Sequence, residues 1–150
     1  MPASAKNSKS PENLDREIQQ AEMMFESARS QLEYLEENAR MVDSSISEHL
    51  RTRETIEHYG EAKEMLMPVG AGVFIMAKPA KKDKAVVAIG AGASIEMPAK
   101  DALVHIDKNL EKLNNSRAKV TERISQIKQK VEELAAKMES LYGSPEGKNE

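Results

Sequence analysis

The fold is decided by residues 65–97, which read MLMPVGAGVFIMAKPAKKDKAVVAIGAGASIEM. Within this stretch the block VGAGVFI, at residues 69–75, is followed by a similar block, IGAGASI, at residues 89–95. Short apolar runs bounded by glycine, proline and polar residues are typical of strands, and glycine accepts the positive φ of a tight turn. The stretch therefore predicts two small β-hairpins, one pairing 65–69 with 73–78 and the other pairing 84–89 with 93–97.

Hairpins with apolar residues on both faces need partners. They would otherwise leave strand edges unpaired and apolar side chains in water, and a lone two-stranded hairpin is only marginally stable. We therefore expect residues 63–97 to form an oligomerisation segment that joins strands from other chains. The residues expected to contribute to that assembly, all in or beside the repeated blocks, are Val69, Gly70, Gly72, Val73, Phe74, Ile75, Val86, Val87, Ile89, Gly90, Gly92 and Ile95.

Heptad repeats flank this segment on both sides. Their mostly apolar positions alternate three and four residues apart, and a sustained heptad repeat specifies a coiled coil. The first stripe comprises Leu14, Ile18, Ala21, Phe25, Ala28, Leu32, Leu35, Ala39, Val42, Ile46, His49, Arg53 and Ile56. The second comprises Leu103, Ile106, Leu110, Leu113, Arg117, Val120, Ile124, Ile127, Val131, Leu134, Met138 and Leu141. The sequence thus predicts coiled-coil helices over 11–62 and 98–142, with disordered tails at 1–10 and 143–150.

Two single-stripe helices in one chain can bury their stripes by folding back on each other. The predicted fold class is therefore mainly α, a long antiparallel coiled-coil hairpin with two small central β-hairpins. The preferred register puts Ile56 opposite Leu103 and Phe25 opposite Leu134, and a register one heptad away is the alternative. Arg53 and Arg117 interrupt the stripes. We interpret them as side chains with buried stems and charges at the rim, which can also help to fix the register.

In this arrangement the two chain ends meet at a tip with several large apolar side chains. The candidates for binding apolar segments of other polypeptides there are Ile18, Met23, Met24, Phe25, Leu134, Met138, Leu141 and Tyr142. Most of them are first of all seam residues, but the end of a two-helix coil frays and exposes its seam. Met23, Met24 and Tyr142 lie off the seam, and methionine adapts to surfaces of many shapes.

Composition excludes several classes of protein. The chain has 22 basic and 25 acidic residues in 150 and a net charge of −3, without the basic excess that nucleic-acid binding requires. It has no cysteine, which fits a reducing compartment. No apolar run approaches the roughly 18 residues of a membrane span, and the N-terminus lacks the apolar core of a signal peptide. We expect a cytoplasmic protein that binds neither nucleic acid nor membrane.

The residues predict neither catalysis nor a cofactor. The two Gly-Ala-Gly motifs do not continue into a phosphate-binding loop, so structural turns are the favoured interpretation. His49, His58 and His105 have no cysteine or histidine partner at metal-ligand spacing. There is no activated serine arrangement and no predicted pocket that would hold a carboxylate pair. We therefore expect no enzyme, no metal and no cofactor.

The order of these features resembles the alpha subunit of prefoldin, of the archaeal type. The resemblance covers residues 11–142 and rests on a coiled-coil helix, MPVGAGVFI at 67–75, VVAIGAG at 86–92 and a second coiled-coil helix. It implies a hexamer of two alpha and four beta subunits, whose body is a pair of β-barrels built from pooled hairpins. It also implies an ATP-independent chaperone that captures unfolded polypeptides at the coiled-coil tips and delivers them to a group II chaperonin.

Two other interpretations stay open. A related class of prefoldin-like proteins forms filaments, and the same heptads and hairpins would suit that assembly. The heptads would also suit a structural coiled-coil adaptor that docks one defined partner helix. An adaptor would bind one partner saturably and would not suppress aggregation of unrelated proteins.

Overall fold

The computed structural model describes residues 10–143, so the tails predicted to be disordered lie almost entirely outside the described residues. The predicted fold class is confirmed, since two long helices enclose two small antiparallel strand pairs in the sequence. The elements are α1 (Pro11–His58), a one-turn 3-10 helix (Tyr59–Glu61), β1 (Met65–Gly70), β2 (Val73–Ala77), β3 (Lys84–Gly90), β4 (Ala93–Pro98) and α2 (Ala99–Tyr142).

Local sequence explains both ends of α1. The carbonyl oxygen of Ser10 accepts hydrogen bonds from the amides of Asn13 and Leu14, at 2.9 and 3.2 Å. Pro11 occupies the first helical position, where a missing N–H costs nothing. The helix ends at His58, ahead of the boundary at residue 62 expected from the sequence. Gly60 explains the early end, because glycine has a low helix propensity and the chain tightens around it into the 3-10 turn.

The chain divides into two compact units, which we call the terminal and the central unit. The terminal unit comprises Met1–Arg40 with Lys119–Glu150, and the central unit comprises Met41–Ala118. Every position of the two predicted stripes is buried or half-buried. In the terminal unit the buried residues are Ala21, Ala28, Ala39, Ile127 and Leu134. In the central unit they are Ala102, Ile106 and Leu110.

The narrow seam explains why small residues are the most deeply buried on α1. In a two-helix coil each seam side chain is covered by one partner helix, so a long side chain keeps part of its surface in water. Phe25 and Leu35 are accordingly half-buried, whereas Ala21 and Ala28 are almost completely covered. No large side chain in residues 10–143 is fully buried. The seam therefore holds the helices together with little apolar burial per residue.

Two arginine–aspartate pairs bridge the helices of the central unit. The Nε of Arg53 lies 2.8 Å from a carboxylate oxygen of Asp107, and the Nε of Arg117 lies 2.5 Å from one of Asp43. The predicted register places these arginines opposite Ile106 and Val42, one residue before the aspartates that they contact. The pairs thus agree with that register in the central unit. The aspartates also raise the pKa of both guanidinium groups, chiefly through these hydrogen bonds.

The two hairpins have the same turn. In the first, φ is 104° at Gly70, 51° at Ala71 and 74° at Gly72, and the second repeats these values within a few degrees at residues 90–92. Positive φ at both central residues gives a two-residue turn whose twist matches that of the strands, and the preceding glycine forms a bulge. A Cβ added at any of these four glycines would meet nothing within 4 Å, so the glycines are required by conformation and not by crowding.

Candidate assembly surface and binding tip

The sheet formed by β1 and β2 exposes apolar side chains on both faces. Alternate residues of a strand point to opposite faces, yet neighbours along both strands are exposed. The exposed large apolar residues of this sheet are Leu66, Met67, Val69, Val73, Phe74, Ile75 and Met76. Sequence reasoning did not include Leu66, Met67 and Met76 among the assembly residues. Their position in the same strands as the predicted set was the signal that could have found them.

The sheet formed by β3 and β4 is exposed differently. Val86, Ile89 and Ile95 are exposed, as predicted assembly residues would be. Ala85 and Val87, which alternate with Val86 along β3, are half-buried. Val87 was also predicted to contribute to assembly; it lines, together with its neighbour Val86, a cleft between β3 and the helices, and its role in assembly stays a prediction. This sheet therefore has one partly covered face along β3, whereas in the β1–β2 sheet only the paired end residues Met65 and Ala77 are half-buried.

That cleft, of about 340 Å³, lies in the central unit between β3 and both helices. It contains His49 of α1 and His105 of α2. The Nδ1 of His49 lies 2.8 Å from the carbonyl oxygen of Ser45, and the Nε2 of His105 lies 3.3 Å from the Nδ2 of Asn109. Each imidazole is thus held by its own helix one turn away. Across residues 10–143 no three histidine, cysteine, aspartate or glutamate side chains are grouped as metal ligands.

The eight predicted binding residues lie in the terminal unit and fall into three groups by the exposure of their side chains. Met23 and Tyr142 are well exposed, at 74% and 58%, and Met24, the next residue after Met23, is exposed at 41%. Ile18, Phe25, Met138 and Leu141 are half-buried in the seam, and Leu134 is buried. The two methionines line a shallow groove of about 250 Å³ together with Gln31 and Lys130. The structure therefore brings an apolar, adaptable surface beside the seam.

Polar contacts lie close to this surface. The Tyr142 hydroxyl donates a hydrogen bond to the Glu22 carboxylate across the two helices, and this contact raises the pKa of the tyrosine. The guanidinium carbon of Arg29 lies 5.9 Å from the centre of the Phe25 ring, within the range of a cation–π interaction. Tyr142 was predicted as an off-seam contact for substrate. It is exposed, and its hydroxyl already has a partner within the chain.

Neither helix, within the part of the chain that the structure describes, offers the uncharged apolar length needed to cross a bilayer.

Comparison with known proteins gives consistent results. The family model described as Prefoldin subunit matches residues 28–144. A prefoldin subunit alpha from Methanococcus maripaludis is 31% identical over 111 residues, covering 74% of this chain and 77% of the relative. A prefoldin subunit alpha 2 from Methanocaldococcus jannaschii is 31% identical over 110 residues, covering 71% and 75%. Among solved structures, filamentous PFD from Methanocaldococcus jannaschii superimposes with a TM-score of 0.67 at 26% identity, covering 77% of this chain and 98% of the other.

Proposed function

The chain belongs to the prefoldin family, and on that premise we propose that it is an alpha subunit of a complex that holds unfolded polypeptides without ATP. Prefoldin is a family of chaperones and not of enzymes, so the chain is a chaperone-type subunit. Beyond family membership, we propose four properties of this complex. Two alpha subunits combine with four beta subunits, the pooled hairpins form a β-barrel body, the complex works in the cytoplasm, and bound clients pass to a group II chaperonin.

One observation carries the proposal: the β1–β2 sheet exposes large apolar side chains on both faces. A two-stranded sheet of this kind gains stability when both faces and both edges are covered. Strands from sister subunits would cover all of them at once, whereas the docking of a single partner helix would cover one face. Assembly through the hairpins therefore explains the exposure better than an adaptor role does.

The exposed methionines of the terminal unit support capture of clients there. Met23 and Met24 offer a flexible apolar surface without a fixed shape, which suits unrelated apolar segments. One such surface is small and binds weakly. Several of them linked through one body would raise the effective concentration and increase avidity by about 10²–10⁴. Weak individual contacts would also allow release without ATP.

Two measurements test the proposal together. Native mass spectrometry of the chain mixed with a prefoldin beta subunit should give a discrete hetero-oligomer of two alpha and four beta chains. Light scattering of two unrelated denatured proteins should fall when that complex is present. A chain that stays alone in the mixture, or a complex that protects neither client, would contradict the proposal. Binding of one partner without suppression of aggregation would indicate the adaptor.

A filament is the second candidate assembly. It is favoured by the similarity to filamentous PFD from Methanocaldococcus jannaschii. The chain on its own would then form long polydisperse assemblies, because a head-to-tail contact that does not close continues indefinitely. Electron microscopy of the isolated chain separates this candidate from the closed hexamer.

A further inference from the structure

The linker between the two hairpins is attached to the rest of the central unit, although none of its side chains is buried. Residues 78–83 join β2 to β3, and all are exposed or half-buried. An exposed polar loop keeps one position only where its backbone and side chains find partners. Here the partners come from the 3-10 helix after α1, from β4 and from the start of α2.

Tyr59 provides the first attachment. Its hydroxyl donates to the carbonyl oxygen of Lys84 and also lies 3.3 Å from that of Lys81. One side chain of the 3-10 helix thereby spans the second half of the linker. Because α1 leads directly into the first hairpin and Lys84 begins the second, this contact joins the roots of both hairpins.

Gly60 provides the second attachment by allowing a close approach. A Cβ at this position would lie 2.7 Å from the carbonyl oxygen of Lys82, a distance that real Cβ atoms essentially never show. The φ of Gly60 is not in the left-handed region, unlike that of the turn glycines. Glycine is therefore required here by the proximity of the linker and not by the local backbone conformation.

Ion pairs and a backbone hydrogen bond attach the linker to β4 and to the start of α2. The Nζ of Lys81 lies 2.8 and 2.9 Å from the two carboxylate oxygens of Glu96 in β4, and the Nζ of Lys84 lies 3.4 Å from one of them. Hydrogen bonds from these lysines lower the pKa of Glu96. The amide of Ala99, the first residue of α2, donates to the carbonyl oxygen of Asp83 at 2.8 Å.

We propose that Tyr59, Gly60, Lys81, Lys84 and Glu96 form a clasp that holds the two hairpins in one arrangement before the subunit meets its partners, and that the clasp thereby sets the rate of assembly. The inference rests on the proposed function, because it takes the hairpins as the assembly surface. A subunit with an open clasp must order its linker during association. Its apparent affinity and association rate then fall with the fraction of subunits in which the clasp is closed.

Closure of the clasp can be measured in the full chain by limited trypsin digestion. The linker carries two lysines that are not followed by proline, Lys81 and Lys82, and Lys84 follows it directly; intact-mass analysis identifies the fragments from each cut. When opening is fast relative to cleavage, the rate follows the population of the open linker. Tyr59→Phe removes the hydroxyl contacts and should raise the rate of linker cleavage about 2- to 10-fold. Tyr34→Phe, at an exposed tyrosine of α1 in the terminal unit, is the matched control and should leave the rate unchanged.

Gly60→Ala is the second variant, and it separates the clasp from helix stability. Alanine favours helix over glycine, so a purely helical role predicts a chain that is as stable as wild type or more so. The clasp predicts faster linker cleavage, because the new Cβ displaces the carbonyl of Lys82. Thermal melting of the helices by circular dichroism provides the comparison.

The association rate with a prefoldin beta subunit completes the test. Both variants should associate more slowly than wild type and the Tyr34→Phe control, in proportion to the loss of the closed fraction that the cleavage rates report, and should still reach the same final stoichiometry. A variant that leaves either the cleavage rate or the association rate at the wild-type value overturns the inference. If wild type itself fails to associate, the proposed function fails, and the cleavage rates still decide whether the clasp exists.

Discussion

Replacing Phe74 with serine tests whether the β1–β2 sheet carries assembly. Phe74 is 57% exposed in the single chain, so the substitution removes little that stabilises the subunit itself. A phenylalanine side chain offers about 200 Å² of accessible surface, which leaves roughly 110 Å² to be covered by partner subunits. At about 25 cal/mol per Å² this amounts to roughly 2–3 kcal/mol, or about 30- to 150-fold in the dissociation constant.

The assay is a titration of the chain with a prefoldin beta subunit, in which native mass spectrometry measures the fraction of chain in complex. Circular dichroism should show that Phe74→Ser keeps the helix content of wild type. Met23→Ser is the matched control, since Met23 is more exposed than Phe74 but belongs to the terminal unit. If Phe74→Ser assembles at the same concentrations as wild type, the assignment of this sheet as the assembly surface is refuted. An equal loss of affinity for the beta subunit in Met23→Ser would refute it too.

The terminal unit, the turns and the linker offer further tests. The double variant Met23→Ser/Met24→Ser should weaken the suppression of client aggregation several-fold, measured by light scattering, without changing assembly. Met41→Ser, at another exposed methionine of α1, is the control and should leave the suppression of aggregation unchanged. Equal effects of the two would contradict the predicted tip. Ala71→Asn should stabilise the chain by roughly 0.5–1 kcal/mol in urea denaturation, because Ala71 has a φ of 51° that asparagine tolerates better, whereas Ala71→Val should destabilise it. Glu96 has a lowered pKa, so its stabilising contribution is present above the ordinary pKa of a glutamate and is lost as the pH falls through the lowered value. Carbon NMR should show Glu96 titrating below the ordinary range and Lys81→Gln moving the midpoint back up; a midpoint that does not respond would exclude the ion pair.

The heptad pattern predicted the helices well because it reports directly on burial. Every stripe position from Leu14 to Leu141 is buried or half-buried, including the polar His49 and Arg53. The glycine pairs likewise predicted both turns, since few residues other than glycine accept their φ values. What the sequence did not reveal at the turns is Ala71 at positive φ, because alanine is not a turn signal and the neighbouring glycines impose its conformation.

Contacts between residues far apart in sequence escaped prediction. Arg53 and Arg117 were interpreted as charges at the rim of the seam. Their ion pairs with Asp107 and Asp43, respectively, depend on which residues of the other helix lie next to each arginine, and a single stripe does not give this. The contacts of Tyr59 with Lys81 and Lys84 span 22 and 25 residues and follow no periodic pattern. The inward side of β3 was also unpredictable, since an all-apolar run does not indicate which alternate residues face the helices. The assignment of residues to assembly and client binding stays a prediction from the sequence.

The distribution of apolar surface explains why this chain should depend on partners. Among residues 10–143, ten of the seventeen exposed large apolar side chains lie within residues 66–95, whereas alanines account for much of what is buried. The contacts that stabilise the single chain are a narrow seam, exposed ion pairs and a polar linker clasp, each of which contributes modestly. Most of the hydrophobic free energy available to the hairpins is therefore gained only on association. We therefore expect the stability of the chain to rise with the concentration of its partners. If the hairpins carry the assembly, as proposed, the apolar surface beside the seam of the terminal unit is left available to clients.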